Sequence, residues 1–283
     1  MRIAALLTCH NRRQKTLTCL QSLYAIAPEV DVYLTDDGCT DGTAQEVTEA
    51  FPQVRIIKGD GSLFWNRGMY RAWQEALTQD YDYYLWLNDD VVLYCDFLQS
   101  LLSCCPKGDA LVCGLIEEPQ SHEIIYGGCD IQKRLVGRSE APQQLYWING
   151  NVVLVPRQIV QQVGILDPYF IHDLGDVDYG MRVREAGFEV LSTTDAVAAG
   201  YRNDVCRVRK WNSSLLGRFC RLGTPLGSPL SRNYHFRRRH FGILHALAYN
   251  AKIVLINLLP DWAVVRVWGD LYVDRIYHCS AKI

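Results

Sequence analysis

Tyr84-Leu85-Trp86-Leu87-Asn88-Asp89-Asp90-Val91-Val92-Leu93 is the stretch on which the fold turns. Its first four residues form an apolar run with the character of a buried strand. The run stops at Asn-Asp-Asp, and apolar residues resume at once. Adjacent carboxylates at the end of a buried strand are costly unless a positive charge neutralises them. A divalent cation would do so, and hard oxygen ligands suit magnesium or manganese. A plain turn, with Asp89 or Asp90 capping a helix that begins near Leu93, accounts for the same residues without a metal.

On the N-terminal side, Ile3–Thr8, Val30–Thr35 and Val54–Lys58 read as strands, the first apolar on both faces. The spacing of Thr16, Leu17, Cys19, Leu20 and Leu23 predicts a helix to about Ala27, stopped by Pro28. The second strand ends in Asp36-Asp37-Gly38-Cys39-Thr40-Asp41-Gly42-Thr43, a tight turn into a helix. A further helix spans Leu63 to Leu77 and carries Asn66-Arg67-Gly68 in its first turns, with Trp65, Met69, Trp73 and Leu77 as a core stripe. On the C-terminal side a helix over Asp96–Cys105 and a strand over Ala110–Leu115 follow. Strands alternate with helices throughout. That rhythm predicts an α/β fold, a mostly parallel sheet flanked by helices, whose polar strand ends share one edge. Open sheets of this kind bind ligands at that edge.

The second half is less regular. Tyr126–Asp130 and Leu145–Trp147 bracket an irregular segment, and Trp147–Arg157 reads as a turn followed by a strand. Trp147 either stacks on a ligand ring or belongs to the core. A helix starts near Asp176 and ends at Gly187, where Asp176 is also a natural N-cap. Phe188–Thr193 is the last strand of this region. Beyond Gly200 the chain turns basic, then strongly apolar over Phe241–Leu259, with Lys252 near the middle. A charge there disfavours a membrane span by roughly 3 kcal/mol. A basic cluster followed by an apolar helix suits a membrane surface; packing against protein or a second copy in a homodimer suits it too. The expected organisation is a catalytic domain over 1–200, divided into 1–115 and 116–200, and a C-terminal helical appendage over 201–283.

Composition sets the outer bounds. Of 283 residues, 49% are hydrophobic and 21% charged, with a formal net charge of -2, which gives no electrostatic reason to expect nucleic acid. The 11 cysteines lack a CxxC pair and point to a reducing, cytoplasmic setting. The apolar run at the N-terminus is too short for a signal peptide or a span.

Together, Leu7-Thr8-Cys9-His10-Asn11-Arg12, the Thr35–Thr43 turn, Asn66-Arg67-Gly68 and Leu87-Asn88-Asp89-Asp90 resemble the family 2 glycosyltransferases, which have the GT-A fold. The resemblance implies an inverting, metal-dependent transfer of a sugar from a nucleotide-diphosphate donor to a hydroxyl of a glycan or lipid-linked glycan, in cell-surface polysaccharide synthesis. It places Asp37 on the nucleotide base, with Thr8, His10 and Lys58 lining the donor pocket. Asn66, Gly68, Asn88 and Asp89 fall beside the donor, and Asp90 on the Mn2+ or Mg2+ ion. In Gly175-Asp176-Val177-Asp178 the family's leading glutamate is missing, and Asp176 corresponds to the catalytic base, with Asp173 as fallback. Trp147, Asn149 and Asp178 fall on the acceptor side, and residues 237–272 on the membrane surface, at its cytoplasmic face. A sugar nucleotidyltransferase and a non-catalytic glycan-binding relative are the alternatives.

Overall fold

The computed structural model describes residues 1–202 and 206–272; residues 203–205 and 273–283 lie outside the described residues. Strands β1 (Ile3–Cys9), β2 (Asp31–Asp36), β3 (Arg55–Lys58) and β4 (Tyr83–Leu87) alternate with helices α1 (Arg13–Ile26), α2 (Thr43–Ala50) and α3 (Phe64–Ala76). The four strands are parallel, in the order β3-β2-β1-β4. Their side chains alternate between two cores. Ala5, Leu7 and Cys9 of β1 face one, with Leu20 and Leu23 of α1; Ala4 and Leu6 face the other, with Met69 and Trp73 of α3. Burial on both faces is why these strands read as unbroken apolar runs.

The chain continues through β5 (Val92–Leu93), α4 (Phe97–Ser103), β6 (Ala110–Glu117), β7 (Ile124–Tyr126), β8 (Val152–Pro156), α5 (Arg157–Val163), α6 (Gly175–Glu185) and β9 (Glu189–Ala199). Residues 89–91 form a turn into β5, so neither Asp89 nor Asp90 caps a helix; Asp96 stands at the N-cap position of α4 instead. Strand β8 inserts between β4 and β6, antiparallel to both. The long irregular connection before β8 returns the chain to the opposite edge without a crossover helix, which permits the reversed direction. Strand β9 runs parallel to β6 along a bulged register and extends six residues beyond the expected end, from Thr193 to Ala199.

Of the expected α3 stripe, Met69 and Trp73 are fully buried, whereas Leu77 lies past the helix end and is exposed. Trp65 is half-buried and faces the strand ends.

The C-terminal helices are α7 (Leu215–Leu222), α8 (Leu230–Phe241), α9 (Ile243–Leu258) and α10 (Asp261–Trp268). Helix α8 docks on the sheet-bearing part. Phe236 packs with Trp147, Phe170, Leu174, Val177 and Met181, and Arg239 and His240 hydrogen-bond Asp178. Around α9, Arg209 is buried and bonds the Ile256 carbonyl and Asp261. Among the described residues no helix is long and apolar enough to cross a membrane.

Candidate active site

The site is built where β1, β2 and β4 end. The loop after β1 puts Asn11 in the left-handed region (φ 50°) and brings the Arg12 guanidinium over the end of β4. Arg12 donates Nη1 to Asp89 Oδ1 at 2.9 Å and places Nη2 3.0 Å from Asp90 Oδ2. The second oxygen of Asp89 lies 3.2 Å from the Thr16 hydroxyl. Burial raises the Asp89 carboxyl to about 6, with Arg12 opposing the rise. The charge that the paired carboxylates demand is thus met in part by the chain itself. Asp89 turns inward, while Asp90 is half-buried at the strand end.

Asn88 accepts a hydrogen bond from Trp65 Nε1 at 2.7 Å and donates one to Asn151 Oδ1 at 2.5 Å. An aspartate cannot donate, so a neutral amide at this position follows from the pair of contacts. Trp65 then crosses to Gly150, where a Cβ would stand 2.6 Å from its Cη2. The Gly150 amide donates to Asp176 Oδ2 at 3.0 Å. Trp65 and Gly150 therefore join the Asn88–Asp90 corner to Asp176.

Asp176 is the second residue of α6, not its N-cap; Leu174 holds that position in the left-handed region (φ 67°). Its Oδ1 accepts from the Val177 amide at 2.8 Å. Burial raises its pKa, opposed by the two amides and by Arg207, and it has no ion-pair partner among the described residues. Asp173, the fallback base, is instead paired with Arg232 at 2.5 Å. Next to it, His172 is lowered to about 3 by burial and then by Arg207, Arg232, Arg12 and Arg221, so it is neutral in a positive field.

Several expected ligand contacts turn out to be internal. Asp37 is buried; its Oδ1 accepts from the Gly61 and Leu63 amides at 2.8 and 3.2 Å, and its Oδ2 from the Phe64 amide at 2.9 Å. The carboxylate holds the start of α3, and Asp36 is the half-buried member of the pair. Asn66 is buried and binds the carbonyls of Asp167 and Phe170. Gly68 is the close approach of α3 to β1, since a Cβ there would lie 2.7 Å from Thr8 Cβ. Trp147 is core, packed with Phe236 and Phe241, because α8 covers it. Asp178 is fully buried among Arg182, Arg239 and His240. Thr8 and Asn149 are half-buried, while His10 and Lys58 are exposed; His10 Nδ1 donates to the Asp37 carbonyl at 2.6 Å. Sequence reading missed Arg12, Trp65, Gly150, His172 and Arg232. Only the Asn-Arg dipeptide after β1 carried any signal for them.

Residues 5–152, just over half of the chain, match the family model described as glycosyl transferase family 2. Curated relatives with the name N-acetylglucosaminyl-diphospho-decaprenol L-rhamnosyltransferase, from two strains of Mycobacterium tuberculosis, are 28% identical over 195 residues, 56% of this chain and 62% of theirs. The chain thus spans less than two thirds of the relatives' length. Among solved structures, S. aureus TarS 1-349 superposes with a TM-score of 0.60 at 13% identity, over 96% of this chain and 74% of that one. The mannosyltransferase PcManGT from Pyrobaculum calidifontis, in complex with GDP-Man and Mn2+, gives 0.54 at 13% identity, over 94% and 75%. These likenesses establish the fold, the GT-A arrangement that the sequence resemblance implied.

Proposed function

The chain belongs to glycosyl transferase family 2, and from that membership we propose that it moves a sugar from a nucleotide-diphosphate donor to a hydroxyl of a lipid-linked glycan, inverting the anomeric centre. The observation that carries this reading is the run of contacts from Asn88 through Trp65 and Gly150 to Asp176, with Asp90 two residues beyond Asn88. It sets a hard oxygen carboxylate and a half-buried carboxylate, the latter without an ion-pair partner among the described residues, along one edge of the sheet.

The donor lies across the ends of β1, β2 and β4, with Thr8, His10 and Lys58 along the base side. The positive field around His172, from Arg12, Arg207 and Arg232, receives the diphosphate. Asp90 is a hard oxygen donor at the half-exposed strand end with one oxygen paired to Arg12, whereas both oxygens of Asp89 are held, one by Arg12 and one by Thr16. One carboxylate together with substrate phosphates is an ordinary donor set for magnesium or manganese. Asp90 would hold the ion, which supplies Lewis-acid stabilisation of the leaving diphosphate. Asp176 accepts the proton of the acceptor hydroxyl as its oxygen attacks the anomeric carbon. The bond to the diphosphate breaks with its electron pair on the leaving oxygen, and the proton passes from Asp176 to water. A single displacement inverts the centre.

A lipid-linked acceptor agrees with the diphospho-decaprenol acceptor in the name of the curated relatives. It also agrees with the outer face of the C-terminal helices. Leu244, Leu247, Leu255 and Leu258 of α9 and Trp262 of α10 are exposed on an apolar stripe. An apolar stripe beside the basic stretch fits a peripheral seat on an anionic, cytoplasmic membrane face.

Donor hydrolysis with manganese tests the reading. Asp90→Ala and Asp176→Ala each lower the rate by roughly 100-fold or more, and chelation abolishes activity that manganese restores. Full activity in both variants overturns it. A thermal-shift screen of nucleotide sugars identifies the donor, because a bound ligand raises stability.

A further inference from the structure

Cys9, Asp36 and Cys39 converge at the β1–β2 corner of the sheet. Cys9 ends β1, opposite Asp36 in the parallel register, and Cys39 lies three residues beyond Asp36 in the following turn. Their ligand atoms, two sulfurs and one carboxylate oxygen, all lie within 4.8 Å of one another. We propose that these three side chains form a site for a thiophilic divalent cation of the zinc class, separate from the carboxylate at Asp90 and independent of the transferase reading.

Distance decides between the two things a close thiol pair can do. The sulfurs are 3.7 Å apart. Two sulfurs each about 2.3 Å from one tetrahedral ion stand about 3.8 Å apart, so the pair already has the separation that a shared ion requires. A disulfide needs the sulfurs at about 2.05 Å, well inside the observed separation. The carboxylate needs only a shift of roughly 1 Å to complete three corners of a tetrahedron. Water supplies the fourth.

The surroundings favour the bound form. The Asn11 amide donates to Cys39 Sγ at 3.2 Å, a bond that spreads charge on a coordinated thiolate. The Cys39 amide donates to Asp36 Oδ1 at 2.9 Å and fixes the carboxylate beside the sulfurs. Cys9 is buried and Cys39 half-buried, so the cation enters from the Cys39 side. Two thiolates and a carboxylate are a soft, mixed donor set that selects zinc over magnesium or manganese. Binding expels both thiol protons to the buffer. Affinity therefore rises with pH. Occupancy ties the end of β1 to the turn that carries Asp36 and Asp37.

The test uses the full chain, reduced and chelator-stripped, with manganese in excess to fill oxygen-only sites. Zinc is titrated against a chromophoric chelator, and unfolding is followed with and without zinc. One zinc per chain is expected, together with a rise in the unfolding midpoint and a thiolate charge-transfer band when cadmium replaces zinc. Cys39→Ser, a half-buried turn position that leaves the core intact, lowers zinc affinity by at least roughly 100-fold, the upper end of what outer-shell partners alone cost. Cys9→Ser does the same, and the exposed Cys220→Ser changes nothing. Uptake below one zinc per chain, or affinity unchanged in Cys39→Ser, overturns the proposal. So does a reductant-sensitive Cys9–Cys39 disulfide with no zinc uptake by the reduced protein.

Discussion

The side chain of Asn66 fills the space that a Cβ on residue 175 would need. Such a carbon would overlap Asn66 Oδ1 and stand 2.5 Å from its Cγ. Asn66 cannot simply move aside, because its Nδ2 donates to the carbonyls of Asp167 and Phe170, each at 2.8 Å, and so pins the loop that leads into α6. Any side chain at residue 175, the glutamate of the family pattern included, would meet Asn66 in this packing.

Gly175→Ala is expected to destabilise the protein by about 1–3 kcal/mol, the usual cost of overpacking, as measured by urea unfolding. Asn66→Ala in the same background removes the clash. The double variant should be more stable than the two single losses predict, by about 0.5–3 kcal/mol of coupling. Additive losses would show that the two positions do not compete for space.

Asp89 gives a pH dependence of definite sign. Its folded carboxyl titrates at about 6 because it is buried, above the unfolded value of about 3.9. Between those values the folded state holds more protons than the unfolded state. Stability therefore falls as pH rises from about 4 to about 6, by up to about 3 kcal/mol, and this contribution is level above that. Asp89→Asn removes the slope. Unfolding midpoints across that window measure it, and an unchanged slope in the variant would assign it to another group.

Under the proposed mechanism Asp176 sets the acid limb of the rate profile. A base works only when ionised, so activity falls as pH drops through its pKa. Burial raises that pKa, which moves the acid limb of kcat/KM above the ordinary carboxylate range. Asp176→Asn keeps the Gly150 contact and the unfolding midpoint yet loses about 100- to 10,000-fold in rate. A variant with the wild-type limb and rate would remove Asp176 from the chemistry.

Membrane contact is read by vesicle sedimentation. Leu244→Ser with Trp262→Ser, both highly exposed, should weaken binding to phosphatidylglycerol-containing vesicles. Stability should stay within about 0.5 kcal/mol, as for other surface substitutions. Equal binding by the variant and the wild type would leave the stripe to a protein partner.

What the sequence by itself determined is whatever local pattern controls. Uninterrupted apolar strands such as Ile3–Thr8, the Asp-rich ends at Asp36 and Asp90, and the helix that closes at Gly187 are each set by neighbours within a few residues. Alternation of such elements was enough to bring the polar ends of β1, β2 and β4 to one edge. Partner choice across 60 or more positions was decided only in the tertiary structure. Arg12 with Asp89, Asn88 with Asn151 and Arg239 with Asp178 are separated by 77, 63 and 61 residues. A carboxylate looks the same in sequence whether it meets a guanidinium, three backbone amides or open cleft. Packing alone turned Asp37 and Asp178 inward, covered Trp147 with α8, and left Asp90 and Asp176 partly exposed. The physical reason is that burial and pairing energies depend on which distant groups arrive, and arrival is a property of the whole packed sheet.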